Sequence, residues 1–219
     1  MMAPMLPFTP EQFLSVFAAY HTAVWPAPLV AYGAGAIVVA ILAFGPRPGT
    51  DRTVAAILAA LWAWTGAVYH GRYFAAINPV ALGFAVLFVS EAALFLPIAF
   101  GRGGPRFAYR RDRATVFGVA LVAYAAVIYP VLGHAAGHVY PATPVFGITP
   151  CPLTLFTLGL MMLAGERPPA LLLAIPTLWS LIGGSAAALL DVPQDWPLLF
   201  AGVATVAVVR TCRPVVPPA

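Results

Sequence analysis

Histidine, cysteine and carboxylate side chains are scarce in this chain, so the places where they gather carry the chemical argument. Of its four histidines, His134 and His138 stand four apart in "GHAAGHVYPATPVFGITPCPLTLF", residues 133–156. On a continuous helix both imidazoles share a face, an arrangement that can bind a metal. His70, in "VYHGRYFAAINP", would complete a three-histidine zinc set, and His70 with His138 would supply the two axial ligands of a haem. The same residues also suit a bilayer interface, where an apolar ring body and a polar tip are both satisfied.

Cys151 lies between Pro150 and Pro152, with Thr154 one turn on. Pro141, Pro144, Pro150, Pro152 and Gly147 cannot all sit in an undisturbed helix, because each proline removes a donor and collides with the preceding turn. The stretch before "LTLFTLGLMMLAG" is therefore expected to be extended or broken, and to be walled by protein or a water-filled cavity. Broken helices often mark binding sites in transporters, since freed carbonyls and a new helix start face the cavity. Glu91, inside "VALGFAVLFVSEAALFLP", is the only carboxylate within an expected span. With no basic residue at its depth it reads as a protonated acid and a candidate proton carrier.

The elements that must position these groups follow from composition. Hydrophobic residues make up 62% of the 219, charged residues 8%, and the mean hydropathy is +0.92. A water-soluble fold could not cover itself with so few charges. Seven apolar runs, 26–45, 53–70, 79–100, 114–133, 145–164, 169–190 and 196–211, approach the length that crosses a hydrocarbon core of roughly 30 Å. Backbone groups in lipid must satisfy one another, and alternating barrel strands are absent, so the expected fold is all-α: a polytopic transmembrane bundle of about seven helices forming one integral membrane domain.

All 11 basic residues are arginines. The seven-helix arrangement puts every one except Arg72 on one face, so the N-terminus is expected outside and the C-terminus in the cytoplasm. The net charge of +4 is then an orientation signal on a surface that can touch anionic lipid, and gives no reason to expect nucleic acid. Residues 1–23 show no basic n-region. Instead "FTPEQFLSVFAAYHTAVWP" predicts an interfacial amphipathic helix over 9–23, capped by Thr9 with Gln12, with Phe13, Val16, Phe17 and Tyr20 on one face.

Four stretches, "LPFTPEQFLSVFAAYHTAVWP", "VYHGRYFAAINP", "GHVYPATPVFGITPCPLTLFTLGL" and "LLDVPQDWPLL", are distributed over nearly the whole chain. Through them the chain resembles an uncharacterised bacterial family of multi-pass membrane proteins, a domain of unknown function. The resemblance implies the cytoplasmic (inner) membrane and favours His70, Asn78, His138, Tyr140, Cys151 and Thr154; His134 and His21 are outside its pattern.

The leading expectation is a small carrier or binding protein for an ion or solute. Its outward-facing site would comprise His70, Asn78, His138, Tyr140, Cys151 and Thr154, with Glu91 as the proton-linked acid. The alternatives are a membrane-embedded zinc hydrolase on His70, His134 and His138, and a haem or redox protein. A retinal protein is excluded, because the Schiff base needs a lysine and the chain has none.

Overall fold

In the computed structural model the described residues are 7–45, 47–107, 110–187 and 189–212. They form eight helices and no strand; Phe107 and Ala164 make an isolated antiparallel bridge. Helix α1 (Pro10–Ala23) starts with a reciprocal capping box: the Gln12 amide donates to Thr9 Oγ1 (3.2 Å) and the Thr9 amide to Gln12 Oε1 (2.9 Å). Val16, Phe17, Tyr20 and His21 are its buried residues. The chain then bends by 86° into α2 (Ala27–Ala43).

Helix α3 (Thr50–Ala76) begins as an α-helix and widens to a π-helix over Thr65–Tyr73 before a closing 3-10 turn. It pairs with α4 (Ala81–Ala99) at close range, because Gly66 has no side chain: a Cβ there would lie 2.9 Å from Phe88 Cβ. Helix α5 (Arg113–Ala135) also carries a π turn, Tyr124–Ile128. Its cause is local, since Pro130 has no amide to give the preceding turn and its ring crowds the carbonyl four residues back.

Helix α6 (Pro150–Met162) is the centre of the molecule, and all 13 of its residues are buried. It crosses α5 where two glycines meet. A Cβ on Gly118 would lie 2.7 Å from the Gly159 carbonyl oxygen, and one on Gly159 2.8 Å from that of Gly118. Small residues permit this backbone approach, as in tightly packed membrane helices. Helix α7 (Leu171–Ala186) and helix α8 (Trp196–Cys212), the latter preceded by the 3-10 turn Pro193–Asp195, close the bundle.

Among the described residues four helical stretches are long and apolar enough to cross a membrane: α3, α4, α5 and Pro193–Cys212. The bent α1–α2 pair counts as a fifth if taken as one span, while α6 and α7 are apolar but shorter. Seven crossings therefore require α2, α6 and α7 to span as well.

The segment before α6 belongs to no helix over residues 139–149, yet Pro144 to Thr149 are buried. Helix α1 satisfies part of its backbone. Tyr20 Oη donates to the Ile148 carbonyl (3.0 Å), and His21 Nδ1 lies 2.9 Å from the Pro141 carbonyl oxygen. Gly147, at φ +78°, allows the turn that brings the segment against Ala31 of α2.

Candidate functional site

Beneath α1 lies a cavity of about 240 Å³. Phe13 and Phe17 of α1, Tyr69, His70 and Phe74 of α3, and Phe84 of α4 form its aromatic wall. Cys151 from the start of α6, Trp179 and Gly183 from α7, and Asp195 from the turn before α8 complete the lining, with Asn78 near the start of α4. A mostly apolar hollow with a few convergent polar groups is the usual form of a small-molecule site.

His70 defines the site. It is fully buried in the π-helical turn of α3, and neither ring nitrogen has a hydrogen-bond partner among the described residues. Aromatic rings surround it: Phe88 at 4.6 Å, Trp179 at 5.0 Å, Tyr69 at 5.1 Å and Phe84 at 5.7 Å between centroids. Imidazole brings polar nitrogens that water would satisfy, and each buried polar atom without a partner costs roughly 1–3 kcal/mol. The indole of Trp179 lines the same cavity, with the Cys151 thiol beside it. π-helical turns are frequent at functional sites, where the extra residue re-aims a side chain.

Asp195 is buried and accepts a short hydrogen bond, 2.6 Å, from Tyr129 Oη. The Cys151 thiol stands beside this carboxyl and beside the Trp179 indole. Asp195 makes no ion pair among the described residues; its partners there are the Tyr129 hydroxyl and the Cys151 thiol. From the neighbouring Gln194 a second polar path leads outward. Its carbonyl accepts from Tyr124 Oη (2.8 Å) and its side-chain amide nitrogen lies 3.3 Å from His138 Nδ1.

Of the residues singled out in the sequence, His70, Asn78 and Cys151 meet on the cavity. Asn78 turns its Oδ1 to the Val80 amide (3.2 Å), starting α4. Thr154 is buried in α6 with no partner for its hydroxyl among the described residues, away from the cavity lining. Tyr140 is half-exposed and stacks on His21 at 5.7 Å. Glu91 is fully buried on the core face of α4, with no partner for either oxygen among the described residues.

The two histidines spaced i, i+4 do not share a helix face. Helix α5 ends at Ala135, and Gly137, at φ +87°, closes it with the paired bonds His138 N–H to Gly133 (2.9 Å) and Gly137 N–H to His134 (3.0 Å). This is a Schellman termination, which only a residue tolerant of positive φ forms without strain. His134 is exposed, His138 half-buried and His70 enclosed in rings, and among the described residues no three His, Cys, Asp or Glu side chains form a group able to hold a metal. A three-histidine zinc set does not fit this arrangement. Nor do the two histidines of the haem pair meet on the cavity: His70 lines it and His138 does not.

Asp195 and Trp179 were not among the residues singled out. Asp195 stands one position before the apolar run 196–211, so it reads as loop; Trp179 reads as one more apolar residue of α7.

A model for a family of unknown function, DUF6064, matches residues 10–215. The chain belongs to that family. Every lining residue of the cavity except Phe8, and the whole polar path beside it, lies within the matched residues, so in this DUF6064 chain the site is part of the family region. No curated protein and no solved structure matches the chain.

Proposed function

We propose that this protein is a bacterial inner-membrane protein that binds, and carries across part of the bilayer, a small solute with both a hydrogen-bond donor and an acceptor. In this reading α2 to α8 cross the membrane, α1 lies on the outer surface as the roof of the cavity, and the C-terminus is cytoplasmic. The arginines support the orientation: Arg47, Arg52, Arg102, Arg106, Arg110, Arg111, Arg113, Arg167 and Arg210 belong to the connections and helix ends opposite α1, whereas Arg72 lies near it. Arg213 falls outside the described residues.

The observation that carries the binding reading is His70, wholly enclosed and, among the described residues, unpartnered at both nitrogens on a cavity that also holds Asp195, Cys151, Asn78 and the Trp179 indole. A solute offering a donor and an acceptor would satisfy groups that the protein leaves open. A cavity of about 240 Å³ limits it to a few non-hydrogen atoms beyond a water cluster. Glu91 would act as the proton-linked acid, since an unpartnered carboxyl in α4 is costly in charged form and gains by changing protonation or partner during transport.

The test uses Cys151 as the reporter. Cys212→Ser protein in vesicles is treated from outside with a small impermeant thiosulfonate, while detergent-purified protein is screened by thermal unfolding against small amides, imidazoles and hydroxy compounds. The expected result is labelling of Cys151 that slows in the presence of those solutes that raise the unfolding midpoint. Inert Cys151 together with no stabilising solute would sink the proposal.

A further inference from the structure

The arginine-bearing end of the molecule holds a second, wider groove of about 1060 Å³, independent of the cavity under α1. Three separate segments build it. Arg52 comes from the first turn of α3, Arg106 from the α4–α5 connection and Arg167 from the α6–α7 connection.

These segments are held together by the fold. Phe107 bridges Ala164 antiparallel, and the Gly165 amide donates to the Arg106 carbonyl at 2.8 Å, which fixes Arg106 beside the connection that carries Arg167. Asp51 ties α3 into the same knot by accepting the Phe107 amide at 3.0 Å. The Arg52 guanidinium lies flat on the backbone of Gly101, where a Cβ would come within 2.7 Å of its Cζ. Arg52 and Arg106 are exposed toward the groove, so the placement of their charges does not depend on burying them.

We propose that this groove binds a phosphodiester monoanion, with Arg52 and Arg106 as its principal ligands. Guanidinium forks match phosphate oxygens, and a tetrahedral anion can accept from arginines approaching from different segments, whereas one bidentate arginine already satisfies a carboxylate. The charge count sets the valence. Three arginines line the groove against two carboxylates, Asp51 and Glu166, leaving one net positive charge, which a diester balances and a dianionic monoester exceeds. Two sources supply this chemistry: the headgroup of an acidic glycerophospholipid, or a soluble diester of the same kind. The inference rests on the arginine end alone and stands or falls separately from the solute cavity.

The experiment compares detergent-purified full-length protein with phosphatidylglycerol, phosphatidylcholine and the deacylated headgroup glycerophosphoglycerol, reading bound adducts by native mass spectrometry and affinity by titrated thermal unfolding. Arg52→Gln/Arg106→Gln is set against Arg111→Gln/Arg113→Gln, which removes the same charge from the same end outside the groove lining. Phosphatidylglycerol is expected to bind in preference to phosphatidylcholine, and to bind about tenfold more weakly to the groove variant than to the control variant. Equal binding by glycerophosphoglycerol assigns the site to a soluble diester; binding only with acyl chains assigns it to lipid. Equal losses in both variants, or no preference for the acidic lipid, overturn the proposal. Arg106→Gln alone serves if the double variant does not stay monodisperse, and wild-type affinity in that variant likewise overturns it.

Discussion

Tyr129 Oη donates to Asp195 Oδ1 at 2.6 Å, joining the π-widened half of α5 to the turn before α8 across 66 residues of chain. Both residues are buried, and Cys151 of the central helix stands beside the same carboxyl. One hydrogen bond thus ties three elements together at the edge of the cavity.

Tyr129→Phe is expected to lower stability by about 1.5–3 kcal/mol, the range for a hydrogen bond to a group that can carry charge. Asp195→Asn keeps an acceptor for the phenol and should cost less. Unfolding midpoints in detergent for the two single variants and their combination measure the coupling; an unchanged midpoint in Tyr129→Phe would show that the bond contributes nothing.

His70→Phe separates stability from binding. The new ring enters an enclosure of Phe84, Phe88, Trp179 and Tyr69 and removes two unpartnered nitrogens. Replacing unsatisfied polar atoms by an apolar group of similar shape is neutral or stabilising. The midpoint should therefore hold or rise, while the stabilisation and Cys151 protection given by cavity solutes disappear. A clear loss of stability would mean that His70 holds the fold together and is no ligand-binding group.

Tyr20→Phe should loosen the segment before α6. The phenol links the Trp64 indole, which donates to it at 2.8 Å, to the Ile148 carbonyl, which it bonds at 3.0 Å. Losing it leaves both groups unpaired, at a cost of roughly 1–3 kcal/mol. Hydrogen exchange over residues 143–149 should quicken while that of α4 stays as it was; uniform exchange across both would refute the link.

Glycine substitutions should divide by what each new methyl meets. Gly159→Ala drives a Cβ into backbone of α5, which cannot give way, so a loss of about 3 kcal/mol or misassembly is expected. Gly183→Ala meets Leu198 Cδ2 at 3.1 Å, the end of a flexible side chain, with Trp179 Nε1 at the same distance. Yields of monodisperse protein and unfolding midpoints should rank Gly183→Ala well above Gly159→Ala.

Glu91→Gln should leave the fold intact, because it keeps the volume and removes only the ability to ionise. Glu91→Lys should sharply reduce the folded yield, since it places a longer cation where the carboxyl has no partner. Transport of any solute found for the cavity should fall in Glu91→Gln with binding retained; unchanged transport would reduce Glu91 to a packing residue.

The helices were legible in the sequence because their signals are local. Each of the seven apolar runs corresponds to one of α2 to α8, and the Thr9–Gln12 capping box marks the start of α1 as its spacing predicts. What proline does before α6 was legible too, since the steric rule needs no partner. The site was legible only in part. His70, Asn78 and Cys151 stood out by residue type, but Asp195 and Trp179 join them only through the packing of α1, α3, α6 and α7, which no short-range pattern encodes. The pairing of His134 with His138 failed at a single residue, Gly137, whose positive φ ends the helix between them. The π turns were not legible at all, although Pro130 explains one of them afterwards.

The wholly buried helix α6 has a consequence for biogenesis. At 13 residues it is about 20 Å long and offers no surface to lipid once its neighbours are in place. If α2 to α8 cross the bilayer as proposed and insertion runs from the N-terminus, α6 is synthesised before α7 and α8 exist to enclose it. It must then wait, beside α5 or within the insertion machinery, until the last two helices arrive. A nascent chain halted after residue 165 would be left with its future core uncovered, and quality-control proteases should clear it faster than one halted after α5.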